Sequence, residues 1–234
     1  MDSLIPLVGI AAFAGVGLAI YRLVAAERER KAERAREAGA RGFRPVVPPD
    51  PAVVARIVAL HRRPGRDSLE VRELYSRDAG GYALYLFDLA DTSSESTDLV
   101  CDRAVAIVAP SLGLPRFSLV PQLQLDGRLA RLTNWLIQRL PAAAGGERVE
   151  FPSPPAFQQR YTIRADDEPA VRRFFTAERL GRLAETRHWM IEGQGEMLTL
   201  NQLELGPARR REPGHLADRL RDAERVWAIF APER

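Results

Sequence analysis

The longest apolar run of the chain lies at its N-terminus, where IPLVGIAAFAGVGLAIYRLV (residues 5–24) contains one charged side chain, Arg22. Twenty helical residues at about 1.5 Å each span about 30 Å, which is the thickness of a bilayer hydrocarbon core. The run includes three glycines, which are common in membrane helices. The pattern therefore predicts a transmembrane anchor at residues 1–24, with residues 4–24 in contact with the lipid bilayer.

A cleaved signal peptide is the alternative interpretation of this run. It requires positive charge before a shorter apolar core, whereas Asp2 stands there, and the charged stretch AAERERKAERAREAGARGFR follows directly. Lysine and arginine flank only the C-terminal side, so the positive-inside rule places the N-terminus outside and the following residues in the cytoplasm. Lys31 is the only lysine, and the arginine- and alanine-rich composition is typical of GC-rich bacterial genomes. We therefore expect a single-pass protein of the bacterial inner (cell) membrane.

A charged segment follows the anchor. Residues 25–38 are nearly all alanine, glutamate, arginine and lysine, which favour helix, and they carry no apolar stripe. The helix is expected to end between Gly39 and Gly42, before FRPVVPPDP, which predicts an extended Pro-rich linker. Residues 25–49 are thus predicted to form a charged helical stalk and a linker. Basic segments beside a bilayer attract anionic lipid head groups, which makes lipid sensing by the stalk a further alternative.

Residues 50–234 are predicted to form one α+β domain. Asp50-Pro51 starts a helix whose apolar positions recur at helical spacing as far as Leu60. Alternating positions then predict four strands, which are Leu69–Tyr75, Tyr82–Leu89, Leu99–Ala109 and a stretch at 116–125 interrupted by Pro121. The Gly-rich sequence SRDAGG predicts a hairpin between the first two strands, and a polar loop is expected at residues 90–98.

The second half of the domain is also predicted to contain both strands and helices. The predicted elements are a helix at 128–140, a Gly/Pro-rich passage at 142–155, a strand near His188–Glu192 and a strand at Met197–Asn201. A final helix ends at Phe230, with a predicted buried stripe of Leu216, Leu220, Ala223, Trp227 and Phe230. IEGQGE lacks the third glycine and the following helix of a phosphate-binding loop, so it predicts a hairpin turn. Short turns between strands favour a mainly antiparallel sheet with packed helices.

The densest polar constellation is RYTIRADDEPAVRRFF (160–175), with three carboxylates in a row. Before them Tyr161 and Ile163 alternate with polar residues as in a strand, and after them the apolar spacing becomes helical. Asp166 or Asp167 is a favourable N-cap, and acids complement the positive end of a helix. The alternative, a metal or catalytic cluster, requires further ligands nearby, and the sequence supplies none. The carboxylates are therefore expected to cap a helix.

The distribution of charge limits the classes of partner. The net charge of +3 consists of −1 before Arg22, +4 from Arg22 to Arg44, and zero over residues 45–234. A neutral body lacks the basic surface that nucleic acids require, so no nucleic-acid partner is expected. The single cysteine, Cys101, excludes an internal disulfide and a multi-cysteine metal site, and its apolar neighbours predict a buried side chain.

Few residues are candidates for chemistry. His61, His188 and His215 are scattered, and neither Ser111 nor Ser118 has the glycines of a nucleophile elbow. The one carboxylate cluster that merits a test is a convergence of Asp88, Asp91 and Asp102 on one end of the sheet. The sequence thus predicts no cofactor and no metal, and it identifies no catalytic residue.

Three segments carry a resemblance. LPRFSLVP, FPSPPAFQQRYTIRADDEPAVRRFFTAERL and WMIEGQGEMLTL, in this order, resemble a group of uncharacterised bacterial proteins. That group has one N-terminal membrane helix and a cytosolic α+β domain, and no activity is established for it. The resemblance covers residues 100–230 and implies the architecture without implying site residues.

Two functional hypotheses remain from the sequence. The first is a membrane protein whose cytosolic domain is a protein-interaction module, which predicts an exposed apolar or aromatic patch and no deep polar pocket. The second is a membrane-tethered enzyme or small-ligand sensor whose site is assembled from distant segments. It predicts a concave pocket with at least two strongly perturbed ionisable groups.

Overall fold

The computed structural model describes residues 21–22, 25–26, 28–63, 68–93, 98–122, 146–152, 154–186, 189–202 and 215–232. The chain divides into two compact units, Met1–Phe43 and Arg44–Arg234. Apart from Tyr21 and Arg22, the predicted anchor at 5–24 lies outside the described residues. No helix within these described ranges is both long and apolar enough to cross a membrane.

In the first unit, helix α1 covers residues 28–39. It ends in a turn in which the Phe43 amide donates to the Ala38 carbonyl at 3.1 Å and Gly42 has a φ of 78°. Glycine adopts this left-handed conformation without steric penalty, which is why it ends helices so often. The predicted end of the charged helix between Gly39 and Gly42 is thereby confirmed.

The second unit is built on a nine-stranded sheet in the order β1-β2-β3-β4-β9-β8-β5-β7-β6, and every pairing between described strands is antiparallel. The strands are β1 (Arg44–Pro45), β2 (Leu69–Asp78), β3 (Ala83–Asp91), β4 (Asp98–Val108), β5 (Leu114–Pro121), β6 (Glu147–Val149), β7 (Tyr161–Ala165), β8 (Trp189–Gly195) and β9 (Met197–Gln202). The helices of this unit are α2 (Pro51–His61), α3 (Pro155–Gln158), α4 (Glu168–Phe174), α5 (Ala177–Ala184) and α6 (His215–Phe230). The predicted α+β class with a mainly antiparallel sheet is confirmed.

The local signals at chain reversals and helix starts act as expected. The Asp50 carboxylate accepts a hydrogen bond from the Ala52 amide at 2.9 Å and begins α2. The hairpin between β2 and β3 contains Gly80 and Gly81, with φ values of 71° and 102° that favour glycine. IEGQGE is the end of β8 and the turn into β9, which confirms the hairpin and explains why no helix follows it.

The three acidic residues of ADDEP lie at the junction of a strand and a helix. In β7 the side chains of Tyr161, Ile163 and Ala165 are buried. The Asp167 carboxylate then accepts from the Ala170 amide at 2.9 Å and begins α4. The capping interpretation is confirmed, because this hydrogen bond satisfies an amide that the helix itself leaves without a partner.

Several elements differ from the sequence-based expectation. The predicted linker contributes Arg44–Pro45 to the sheet as β1, and the Gly/Pro-rich passage contains β6 and the first residue of α3. The predicted helix at 128–140 lies outside the described residues. In α6 the buried residues include Val226 and Ile229, whereas Trp227 is half-buried and stacks on Tyr82 with ring centroids 4.4 Å apart. The predicted stripe was therefore wrong at Trp227.

The core occupies both faces of the sheet. Helix α2 covers one face, and the buried residues there are Val53, Ile57, Leu60, Leu74, Phe87, Leu89, Cys101, Ala104, Ala106 and Met197. The opposite face carries a ring cluster of Phe117, Phe174, Phe175 and Phe230. A Cβ atom at Gly193 would lie 2.5 Å from Phe117 Cε1, so only glycine lets this ring lie against β8.

Candidate functional site

A row of polar side chains crosses four adjacent strand pairs of the sheet. In register, Arg148 of β6 lies opposite Arg164 of β7, Arg164 opposite Ser118 of β5, Ser118 opposite Glu192 of β8, and Glu192 opposite Thr199 of β9. Directly opposed residues point to the same face of a sheet, so these five side chains share the α2 face. The two ends of the row have different electrostatic environments.

Glu192 is the charged residue of the buried half of the row and is 3% exposed. Arg63, two residues beyond the end of α2, donates from Nη2 to Glu192 Oε1, and Ser118 Oγ donates to the same oxygen at 3.0 Å. Arg63 Nη1 also donates to the carbonyl oxygens of Leu60 and Arg62, at 2.8 and 2.7 Å. One arginine thus connects the end of α2 to the middle of the sheet.

His61 is the second side chain that faces this carboxylate. Its Nε2 lies 3.4 Å from Glu192 Oε2, and its Nδ1 lies 2.9 Å from the carbonyl oxygen of Ile57. A carbonyl only accepts, so Nδ1 carries a hydrogen. Glu192 Oε1 thus accepts from Arg63 and Ser118, and Oε2 has His61 Nε2 as a near neighbour.

This cluster does not have the geometry of a serine hydrolase. In a catalytic triad the histidine contacts the nucleophile and the carboxylate orients the histidine. Here the Glu192 carboxylate lies between Ser118 and His61, and all three side chains are buried. The arrangement is that of a buried ion cluster that holds α2 on the sheet, in which each charge has a partner of opposite sign.

Arg148 and Arg164 form the other end of the row. Arg164 is partly buried, and its Nε atom is excluded from solvent without a hydrogen-bond partner among the residues the structure describes. Burial lowers the pKa of the Arg164 guanidinium, and the positive charge of Arg148 lowers that pKa further. Among the described residues, the carboxylate near Arg148 is that of Glu150, whose Oε1 lies 3.8 Å from Arg148 Nε, and both side chains are exposed.

A small cleft opens beside these arginines. Its volume is about 180 Å³, and its lining residues are Gln122, Arg148, Val149, Glu150, Phe151, Phe157, Gln158, Tyr161, Thr162 and Ile163. Gln122 Nε2 donates to Thr162 Oγ1 at 3.1 Å, and burial is the main cause that raises the pKa of Tyr161. Ligand pockets for whole metabolites usually measure about 300–1,000 Å³, so this cleft fits a small group. Arg164 is not among the lining residues, but two of them are its neighbours: Arg148 across the β6–β7 pair and Thr162 two positions earlier in β7.

The predicted carboxylate cluster is described only in part. The Asp88 carboxylate accepts from the backbone amide of Arg103 at 2.7 Å, where a φ of 50° marks an irregularity in β4. The Asp91 carboxylate accepts from the amide and hydroxyl of Ser93, at 2.9 and 2.6 Å. The Asp102 side chain lies outside the described residues. Asp88 and Asp91 thus each stabilise a different piece of local backbone.

The remaining candidates are distributed over the fold. Cys101 is buried as predicted, and Asn201 Nδ2 donates to its sulfur at 3.1 Å. His188 and the side chain of His215 lie outside the described residues. Within the described ranges no group of three or more His, Cys, Asp or Glu side chains is placed to hold a metal ion.

Sequence reasoning missed the cluster around Glu192 and the opposition of Arg148 and Arg164. Arg63 and Glu192 are separated by 129 positions, and no local pattern connects them. Glu192 between apolar neighbours in a predicted strand was the one available signal, because an acid there needs a buried partner. Comparisons of the chain with protein-family models, with curated proteins and with solved structures each found no match. The resemblance to bacterial membrane proteins therefore stays a prediction.

Proposed function

We propose that this chain is a single-pass membrane protein whose α+β domain serves as a protein-interaction module at the cytoplasmic face of the bacterial inner membrane. One observation carries the proposal: the apolar run at 5–24 is followed directly by a segment of net charge +4 and then by a neutral body. An apolar run with basic residues on one side alone is the pattern of an anchored protein with that side in the cytoplasm.

The character of the described site supports a module rather than an enzyme. Its most buried ionisable side chains, Glu192, Arg63 and His61, contact one another and the end of α2. An enzyme instead keeps a nucleophile or a general base at hydrogen-bond reach of a bound substrate. In the described part of the chain, the buried ionisable groups of the row support the fold.

The docking surface that we propose is polar. Val47, at 84% exposure, is the one large apolar side chain exposed among the described residues of the second unit, so these residues do not form the expected apolar patch. Charged rims contribute to association rate and partner choice more than to affinity. We therefore expect a partner that is held at the membrane as well, where a modest affinity is sufficient.

The anchor and its orientation are tested on the full-length chain in bacterial cells. We expect the protein to remain in the membrane fraction after alkaline carbonate extraction. Protease should degrade the domain in inverted vesicles and leave it intact in spheroplasts. Extraction into the soluble fraction would contradict the anchor, and degradation in spheroplasts would contradict the orientation.

The interaction is tested with a photo-crosslinking amino acid introduced into the full-length protein. Position 47 lies on the domain, and position 30, on the exposed surface of α1, is the matched control. The proposal expects a discrete adduct from positions on the domain and none from position 30. Adducts that form only from position 30 would assign the interaction to the stalk, and the absence of adducts from a scan of the domain surface would contradict the module.

The second candidate is a small-ligand sensor, and one observation favours it. The cleft is assembled from three separate segments, with Gln122 on one, 148–151 on the second and 157–163 on the third. Among its lining residues Tyr161 has a shifted pKa, and Arg164 at its border has another. Saturation of this cleft by a small molecule that also changes adduct formation at position 47 would favour the sensor.

A further inference from the structure

We propose that Arg148 and Arg164 bind a phosphate group at the border of the cleft, as a dianion held between two guanidinium groups. The proposal does not depend on the interaction module, because it concerns a different part of the domain and a different class of ligand. Three observations support it.

The first observation is the placement of two like charges directly opposite each other. Arg148 and Arg164 are register partners in the pairing of β6 with β7, and opposed like charges destabilise a sheet. In the described part of the chain no carboxylate forms an ion pair with Arg164, and the contact of Arg148 with Glu150 is long and exposed. An anion between the two guanidinium groups would turn this repulsion into attraction.

The second observation is the desolvation of Arg164. Its Nε atom has lost contact with water and gains no hydrogen bond from the described residues. A guanidinium that is removed from water is stabilised when an anion accepts from its N–H groups. Burial and Arg148 both lower the pKa of Arg164, and an anion bound between the two arginines would oppose the effect of Arg148.

The third observation concerns size and charge. Two arginines supply two positive charges and two planar donor forks, which match the oxygens of a phosphate. A carboxylate carries one charge and would neutralise only one arginine. Thr162 Oγ1 accepts from Gln122, so its own hydroxyl hydrogen is available to a second acceptor, and Thr162 lines the cleft. The volume of about 180 Å³ accommodates a phosphate group but not a whole nucleotide.

Two sources present this chemistry, a soluble phosphate and the phosphomonoester head group of a lipid. The first arm of the test uses the full-length chain in non-ionic detergent and records its thermal unfolding in potassium phosphate and in potassium chloride of equal ionic strength. We expect phosphate to raise Tm by about 5–10 °C when it is present at a hundredfold excess over Kd.

Matched variants connect this effect to the site. Arg148→Gln and Arg164→Gln should each abolish most of the phosphate-dependent rise in Tm. Arg72→Gln should retain it, because Arg72 is an exposed arginine of β2 that donates to Glu70 at 2.9 Å and lies far from the cleft. Arg148 is largely exposed, so its variant tests the site independently of any change of stability at Arg164.

The second arm distinguishes the two sources of phosphate. The full-length chain is placed in nanodiscs that contain either phosphatidic acid, a phosphomonoester, or phosphatidylglycerol, a phosphodiester. A rise in Tm with phosphatidic acid that is lost in Arg148→Gln assigns the site to the lipid head group. A rise only with dissolved phosphate assigns it to a soluble ligand. A wild-type chain that responds to neither, or variants that respond as the wild type does, would overturn the proposal.

Discussion

Glu192 and Arg164 lie in the same row of the same sheet, separated by the single strand β5. Among the described residues Glu192 has neighbours that compensate its charge, whereas Arg164 faces a like charge. The Glu192 carboxylate is paired with the Arg63 guanidinium and accepts from the Ser118 hydroxyl, and the His61 imidazole lies beside its second oxygen. Arg164 faces another arginine and has a solvent-excluded nitrogen without a partner among the described residues. The two strand spacings between them amount to about 10 Å.

The difference teaches where this domain tolerates an unbalanced charge. A buried carboxylate that lost its partners would cost about 3–5 kcal/mol, a large part of the roughly 5–15 kcal/mol that stabilise a domain, so compensation at Glu192 matters strongly for stability. At the edge of the sheet Arg148 remains in water, and the imbalance there is small enough to persist. The following predictions test this contrast in order of decreasing effect.

The largest effect is expected for Glu192→Gln. The change removes the negative charge and leaves Arg63 and His61 facing each other in a buried site, which should lower the free energy of unfolding by about 3–5 kcal/mol. Guanidinium-induced unfolding of the full-length chain, followed by tryptophan fluorescence, measures the change.

A triple variant serves as the control for this prediction. Replacement of His61, Arg63 and Glu192 together by leucine, methionine and leucine removes all three charges at once and should return the free energy of unfolding to within about 1 kcal/mol of the wild type or above it. A Glu192→Gln protein as stable as the wild type would show that the cluster is hydrated.

A smaller loss of the free energy of unfolding is expected for Ser118→Ala. The hydroxyl donates to a charged oxygen at 3.0 Å, and hydrogen bonds of this kind contribute about 1.5–3 kcal/mol. Arg63 still compensates Glu192, so the variant should still fold. Its denaturant midpoint should be lower than that of the wild type, and its m value should be unchanged. A loss equal to that of Glu192→Gln would show that Ser118 organises the whole cluster.

Arg164→Gln is expected to stabilise the protein in phosphate-free buffer, whereas the two preceding changes destabilise it. The change removes a like-charge cross-strand pair and a desolvated cation, so it should raise the free energy of unfolding by about 0.2–1 kcal/mol. The same unfolding measurement in chloride detects it. A clear destabilisation would mean that Arg164 is compensated in the folded protein and that the contrast with Glu192 is false.

The smallest effect is expected for Glu196→Gln. Glu196 Oε2 lies 2.9 Å from Arg56 Nη1, but both side chains are nearly half exposed. Exposed ion pairs contribute about 0.2–1 kcal/mol because water and salt screen them. The loss should fall toward zero in 1 M salt, whereas the loss from Glu192→Gln should persist there.

Local signals predicted much of the fold. Alternation at Tyr161 and Ile163, the cap at Asp167 and the glycines of the first hairpin are each decided within a few residues, so the sequence contains their cause. The stripe of α6 was wrong at Trp227 because the helix packs with a wider face than a single row, and an indole can cover Tyr82 at its margin.

Little of the site could be predicted, because its contacts join residues that are distant in the sequence. The contacts of Glu192 join residues 74 and 129 positions apart, and the opposition of Arg148 and Arg164 depends on a three-residue strand inside a Gly/Pro-rich passage. A strand of three residues has too few positions for its alternation to be recognised. Register between distant strands follows from the packing of the whole sheet.

The edge strands of the sheet affect whether neighbouring copies of the protein aggregate. In the part of the chain that the structure describes, the edge strands β1 and β6 contain two and three residues, and β1 ends in a proline. The part of β2 that precedes its pairing with β1 carries Glu70 and Arg72. An irregularity at Glu73, where φ is 51°, bends this part of the strand. Short, charged and bent edges resist pairing with the sheet of another molecule. Copies confined to the small area of a membrane would therefore remain separate domains and would not join into fibrous aggregates.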